Sequence, residues 1–425
     1  MLIDIIAGAR PNFMKIAPII HALQARERDG GRLRYRLVHT GQHYDARMSG
    51  DFFEQLGIPT PDVNLEVGSG TQAEQTAAIM TRYEKLLLEQ PSTLCLVVGD
   101  VTSTMACAIA AQKLHVPVAH VEGGIRSGDW SMPEEINRMV TDAITNWFFT
   151  TSQEANENLR RTGVDDERIF FVGNTMIDTL LANMSRLRPP AFAAELGLQP
   201  GEYFVTTLHR PANVDAGDGF LRLLAAIGEG TRGLPVVFPV HPRTAKTLRQ
   251  VAGPVQESDG RTRVDAAPDD GRAKAGVAHS SLADASLADA RTAGAGQERP
   301  ARQHQPAAGT ALPANLHLVD PQPYLEFNWL VKHARAVITD SGGITEEATV
   351  MQVPCLTLRD TTERPETITL GTNELIGTDP AKLGPALDRL FAGQWKQGCI
   401  PPLWDGHTGE RIVAALEGLL ATWKS

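Results

Sequence analysis

Residues 336–348 read AVITDSGGITEEA, and this stretch decides the fold. A short run of apolar and β-branched residues ends in aspartate, two glycines follow, and a helical pattern begins. An apolar run this short, with no polar alternation, marks a strand buried on both faces. Strand, glycine turn and helix in that order are half of a βαβ unit, so a parallel sheet is expected. The first N–H groups of such a helix lack partners within it and attract an anion, and glycine lets a phosphate come close. A tight turn that needs glycine is the competing explanation. A carboxylate a turn and a half into the helix suits ribose hydroxyls, which points to a nucleoside diphosphate.

The same unit recurs in both directions along the chain. Toward the N-terminus the strands are LIDIIA, YRLVHTG, STLCLVVGD, VPVAHVEGG, NWFFTTS and RIFFVGN, with helical patterns such as KIAPIIHALQAR between them. In the second half they are YFVTTLHR, PVVFPVHP, LHLVDP, AVITDSGG, VPCLTLRD and ELIG. Two such groups predict an α/β protein of two doubly wound domains facing a central cleft. The crossing is expected between Gly163 and Gly173. The expected bounds are 1–168, joined by a C-terminal helix within 405–425, and 169–404. Residues 254–313 contain no Phe, Trp or Tyr and include the repeat SLADASLADA. Such a composition buries too little apolar surface to offset ordering entropy, so a disordered insertion outside either sheet is expected.

Bulk properties narrow the function. A net charge of -10 and a pI near 5.7 argue against nucleic acid or an anionic membrane surface as partner. The spacing of Cys95, Cys107, Cys355 and Cys399 fits neither a zinc site nor a disulfide framework. No apolar run is long enough to span a membrane, so a cytoplasmic protein is expected. No G-x-G-x-x-G follows a strand, which argues against a nicotinamide cofactor. The first strand runs into GARPNFMK, which is not a phosphate loop because it has no Lys-Ser/Thr after a second glycine.

Open α/β sheets bind ligands beyond the carboxyl ends of their strands, where the strand order reverses. Almost every strand here ends in polar groups: Arg10 and Lys15; Gln42 and His43; Asp100; His120, Glu122 and Arg126, with Glu134, Glu135 and Arg138 after them. The second half adds His209 and Arg210, His241, Asp340 to Glu347, and Arg359, Arg364 and Glu366. Taken singly, an Asp before a helix is often a cap and paired Glu residues a solvated face. Taken together they line a cleft between two domains.

The motifs GARPNFMKIAPI, TGQHYD, VVGDVTST, HVEGGIRSGDWSMPEEINR, VTTLHRPAN, FPVHPRT, ITDSGGITEEA and TERPETITLGTNELIG occur in this order along nearly the whole chain. In this the chain resembles the non-hydrolysing UDP-N-acetylglucosamine 2-epimerases. The resemblance implies two Rossmann-like domains in the GT-B-like architecture shared with one class of glycosyltransferases. It also implies a homodimer, a UDP-sugar substrate, and neither metal nor redox cofactor. UDP-GlcNAc and UDP-ManNAc would interconvert through elimination of UDP and its re-addition to a 2-acetamidoglucal. The implied acid/base residues are Asp100, Glu122 and Glu134, with His209 at the leaving phosphate. Arg10, Lys15, Ser341, Gly342 and Gly343 would hold the diphosphate, Glu347 the ribose and Phe327 the uracil, with Arg364 and His241 completing that side. Gln42 and His43 match an effector site of regulated members, but Glu74 stands where those carry arginine. GARPN, where Gly-Thr-Arg-Pro-Glu is common, and PLWDGHTGERI resemble relatives acting on a UDP-2,3-diacetamido-glucuronic acid. That substrate is the nearest alternative, and Arg126 is a candidate cation for it. More distant readings are a hydrolysing epimerase, a glycosyltransferase of the same architecture and a non-catalytic nucleotide-sugar sensor.

Overall fold

The computed structural model describes residues 1–41, 55–215, 217–240, 244–245, 247–248, 255–258, 261–264 and 312–423. The first sheet contains β1 (Leu2–Ala7), β2 (Arg34–His39), β3 (Val63–Asn64), β4 (Leu94–Val98), β5 (Val118–Val121), β6 (Trp147–Thr150) and β7 (Ile169–Phe171). They pair in the order β3-β2-β1-β4-β5-β6-β7, all parallel. The second sheet contains β8 (Phe204–Thr207), β9 (Val236–Pro239), β10 (Val255–Ser258), β11 (Arg261–Val264), β12 (Leu316–Val319), β13 (Ala336–Thr339), β14 (Cys355–Thr357) and β15 (Asn373–Leu375). Its order is β10-β11-β12-β9-β8-β13-β14-β15. Without the β10–β11 pair, its six strands repeat the doubly wound order of β1 to β6 in the first sheet. β4, β5, β6 and β13 are buried at every residue, which is why they read as unbroken apolar runs.

Three expectations need correction. β3 was missed because two residues carry no periodicity. β7 pairs with β6 in the first sheet, so a boundary at 168 would cut a strand from its own sheet. Residues 254–313 are not wholly outside the sheets. β10 and β11 pair antiparallel, and β11 pairs antiparallel with β12. Asp-Gly, the pair favoured in two-residue hairpins, stands between them in the sequence, and the remainder of the expected insertion, 265–311, lies outside the described residues.

The helices that matter for the site are α1 (Arg10–Arg28), α2 (Gln72–Glu89), α3 (Thr102–Lys113), α4 (Pro133–Ile144), α5 (Thr175–Asn183), α6 (Tyr324–His333), α7 (Gly342–Val350) and α8 (Thr408–Thr422). The chain leaves the first sheet through α5, which packs on α1; Thr179 Oγ1 donates to Met14 O at 2.6 Å. The C-terminal α8 returns to the same place. Its Ile412, Val413, Leu416 and Leu420 share one core with Ile16, Ile19 and Ile20 of α1. A Cβ on Gly409 would sit 2.5 Å from Pro18 O, so α8 approaches α1 this closely only with glycine there. Cys95, Cys107 and Cys355 are buried, Cys399 is exposed, and all four are free. Among the described residues no helix is long and apolar enough to cross a membrane.

Candidate active site

Strand order reverses between β1 and β4 in one sheet and between β8 and β13 in the other. The loops after these four strands therefore mark the ligand crevice. After β1, Asn12 sets the geometry. Its Oδ1 accepts the N–H groups of Gly8 (3.1 Å) and Ala9 (3.0 Å), and its Nδ2 donates to Val98 O at the end of β4 (3.1 Å). α1 thus starts over β4, and Lys15, one turn in, reaches Gly99, where a Cβ would lie 3.0 Å from Nζ.

Lys15 Nζ donates to Glu122 Oε2 at 2.9 Å. Glu122 follows β5 with a φ of 69°, a left-handed conformation that costs a side-chain-bearing residue energy and holds the carboxylate in one place. Arg364, from the second domain, donates Nη2 to the same oxygen at 2.8 Å. Its Nε lies 2.8 Å from Glu346 Oε1, which also accepts Asn174 Nδ2 at 2.8 Å. All these side chains are buried. Burial pushes the Glu122 carboxyl up, but the charges and hydrogen bonds of Lys15 and Arg364 outweigh it and hold it well below the usual carboxylate range. Glu346 goes the other way: burial, with the Glu122 charge nearby, raises it despite Arg364. Glu122 Oε1, Glu346 Oε2 and Arg364 Nη1 are buried without a hydrogen-bond partner.

Asp100 follows β4 and is held from α4. Arg138 Nε donates to Asp100 Oδ2 at 3.0 Å and Asn137 Nδ2 donates to its carbonyl at 2.8 Å. Glu135 orients that arginine, accepting Arg138 Nη1 at 2.7 Å and the Ser127 and Gly128 N–H groups. Glu134 lies one position earlier in α4, half-buried. Across the crevice, His209 Nδ1 sits 2.8 Å from Asp340 Oδ1. Asp340 also accepts the N–H groups of His209 and Arg210 and Asn213 Nδ2. Burial raises the Asp340 carboxyl, but the His209 contact and these donors bring it below its usual range. The His209 side chain is 51% exposed against 0% for Asp340, so a buried carboxylate orients a ring that a ligand can still reach.

At the start of α7 a Cβ on Gly342 would meet Glu363 Oε1 at 2.7 Å. Arg359 holds Glu363 at 2.6 Å; burial pushes this carboxyl up, but Arg359 reverses that and brings it to about 2. Glu346 and Glu347 are adjacent in the chain, and helical phase separates their roles. Glu346 faces Arg364 and Asn174. Glu347 turns to α6, where Asn328 Nδ2 donates at 3.4 Å and the partly buried Phe327 packs on an apolar cluster that includes Leu330, Val331 and Ala348. Burial raises Glu347 to about 7. A carboxyl raised above its unfolded value stabilises the fold below the unfolded pKa and loses that contribution as pH rises through the folded one. Glu347→Gln is therefore expected to raise Tm relative to the parent at pH 8 but not at pH 4, measured by thermal denaturation.

The crevice brings together Lys15, Asp100, Glu122 and Arg364, with His209, Ser341, Gly342 and Gly343 at the ends of β8 and β13. Arg10 begins α1, but its side chain, like Gln42, His43 and His241, lies outside the described residues. Glu74 forms a capping box with Thr71 at the start of α2: its Oε2 accepts Thr71 N–H at 2.9 Å and its own N–H donates to Thr71 Oγ1 at 3.2 Å. Arg126 Nη1 pairs with Asp142 Oδ2 at 2.6 Å, beside His120, whose Nδ1 meets the other Asp142 oxygen at 2.7 Å. Among the described residues no group of three or more His, Cys, Asp or Glu side chains could hold a metal ion. Sequence reasoning did not assign site roles to Glu346, Arg138, Asn174 and Asp340. Asp340, Arg138 and Glu346 stood among the polar groups that follow the strands, whereas Asn174 carried no such signal.

Two doubly wound domains with charged crevices at both switch points define a two-domain α/β enzyme of GT-B-like architecture. Residues 24–267 and 297–417 match the family model for UDP-N-acetylglucosamine 2-epimerase. A UDP-N-acetylglucosamine 2-epimerase of Methanocaldococcus jannaschii is 35% identical, covering 98% of this chain and 99% of its own. A UDP-2,3-diacetamido-2,3-dideoxy-D-glucuronate 2-epimerase of Pseudomonas aeruginosa is 34% identical, covering 89% of this chain and 88% of its own. The crystal structure of the M. jannaschii UDP-GlcNAc 2-epimerase in complex with UDP-GlcNAc and UDP superposes with a TM-score of 0.75 at 34% identity, over 98% of this chain and 99% of that one. The chain belongs to the UDP-N-acetylglucosamine 2-epimerase family and is an epimerase, hence an isomerase.

Proposed function

We propose that the chain interconverts UDP-GlcNAc and UDP-ManNAc by elimination and re-addition of UDP. One observation carries the reading: two carboxylates lie just past the ends of the neighbouring strands β4 and β5, Asp100 held by Arg138 and Glu122 held by Lys15 and Arg364. The C2 proton of the sugar is not acidic, so direct removal would leave an unstabilised carbanion. In the elimination a carboxylate takes that proton, the C1–O bond breaks with its electron pair going to UDP, and a C1=C2 bond forms. The reverse steps deliver a proton to the other face of C2 and rejoin UDP to C1. There is no net redox change, so no redox cofactor is called for.

The chemistry needs proton carriers about the sugar and cations at the departing diphosphate. Asp100, Glu122 and Glu134 are the carriers. Lys15, Arg10 and Arg364 hold the diphosphate with the N-terminus of α7 at Ser341, Gly342 and Gly343. His209, oriented by Asp340, assists the leaving phosphate, Glu347 takes the ribose, and Phe327 and His241 complete the uridine side. Action on the diacetamido uronic acid is the second reading, supported by the P. aeruginosa relative. It needs a further cation for the sugar carboxylate, and Arg126 is already committed to Asp142.

Incubation with UDP-GlcNAc in D2O, followed by NMR, is expected to place deuterium at C2 and to form UDP-ManNAc. Accumulation of UDP with free sugar would instead show hydrolysis. Exchange only with the diacetamido uronic acid would establish the second reading. Transfer to an acceptor without C2 exchange would mean a glycosyltransferase.

A further inference from the structure

We infer that Glu122 holds, before substrate arrives, the two cations that the substrate's diphosphate then takes, so that substrate entry exchanges the partner of Lys15 and Arg364 and releases the carboxylate for proton transfer. The inference rests on the proposed function and goes beyond it by coupling binding to arming of a proton carrier. Both cations converge on one oxygen, Glu122 Oε2, at 2.9 and 2.8 Å. The other oxygen, Oε1, is buried without a partner, and so is Arg364 Nη1. The cluster therefore keeps unused hydrogen-bonding capacity on both an anion and a cation. A structural ion pair would be expected to satisfy both.

A carboxylate clamped by two cations is a poor proton acceptor, because protonation must break both contacts. A diphosphate carries more charge and more acceptor oxygens than one carboxylate, so it wins the competition for both cations. The backbone makes the exchange directional. Glu122 sits at a φ of 69°, and its N–H is bonded to Phe149 O at 2.9 Å, so the carboxylate stays while its partners move. Lys15 has a flexible stem, and Arg364 belongs to the other domain. Glu346, bonded to Asn174 at 2.8 Å, lies 2.8 Å from Arg364 Nε and keeps that guanidinium in the crevice when Glu122 lets go. Glu346 thus acts as a positioning residue.

The test is Glu122→Gln, with binding of UDP, inorganic pyrophosphate and uridine measured by calorimetry. Turnover should be lost, while UDP and pyrophosphate bind at least about tenfold more tightly because no internal anion competes for the cations. Uridine affinity should not change. If the parent protein binds UDP and the variant binds it equally or more weakly, the inference is overturned and the proposed function stands. If neither binds UDP, both are overturned. Should Glu122→Gln not fold, Glu122→Asp keeps the charge but shortens the reach to the cations, and the same tightening of pyrophosphate, smaller in size, is expected; its absence overturns the inference.

Discussion

Asp100→Asn is expected to lower kcat by about 10²–10⁴-fold, the usual range for loss of a positioned acid or base. UDP affinity should stay within about threefold. The asymmetry follows from its surroundings. Asp100 follows β4 at the strand reversal of the first sheet, and its carboxylate is held by Arg138 rather than by the cations that hold Glu122. Arg138 orients its carboxylate without closing it off, for Asp100 stays 29% exposed at the side chain while Arg138 is buried. Asparagine keeps the shape and accepts from Arg138, but it cannot carry a proton. Steady-state kinetics with C2 exchange in D2O checks this. A kcat within threefold of the parent would remove Asp100 from proton transfer.

Arg364→Ala should abolish measurable turnover and destabilise the fold by about 3–5 kcal/mol at pH 8, the cost typical of leaving a buried charge without its partner. Arg364 neutralises two carboxylates at once: it bonds Glu122 at 2.8 Å and lies 2.8 Å from Glu346. Glu346 is raised by burial even with the arginine present, and removing that cation raises it further. A carboxyl raised in the folded state contributes stability below its unfolded pKa and loses it as pH rises through the folded value. The variant should therefore lose more Tm, relative to the parent, at pH 8 than at pH 5. Adding Glu346→Gln should recover part of the loss at pH 8. An equal loss at both pH values, without recovery, would show that the arginine acts through packing rather than charge.

The alternation of strand and helix was legible because parallel sheets bury both faces, and AVIT or LCLVV cannot hide among polar residues. The ends of those strands were legible for the same reason: Asp100, Glu122, His209 and Asp340 each follow a buried run closely. β3 and the β10–β11 hairpin were not legible. They are short elements at or near the sheet edges, defined by pairing rather than by apolar content. Asn12 ties Gly8 and Ala9 to Val98, a role in backbone geometry that the one-dimensional pattern did not reveal.

By itself the sequence determined two doubly wound domains and the strand ends from which a crevice would be built, because burial and period are local properties of the chain. Only the tertiary structure decided which charges meet. Lys15 and Glu122 lie in different βα units, and Arg364 reaches Glu122 from the other domain. Glu346 and Glu347, neighbours in the chain, were parted by helical phase, one toward the interdomain ion cluster and the other toward α6. Side-chain direction in a helix and the docking of two domains depend on distant residues, so pairing, ionisation and the hold of Glu122 on its two cations became visible only in three dimensions.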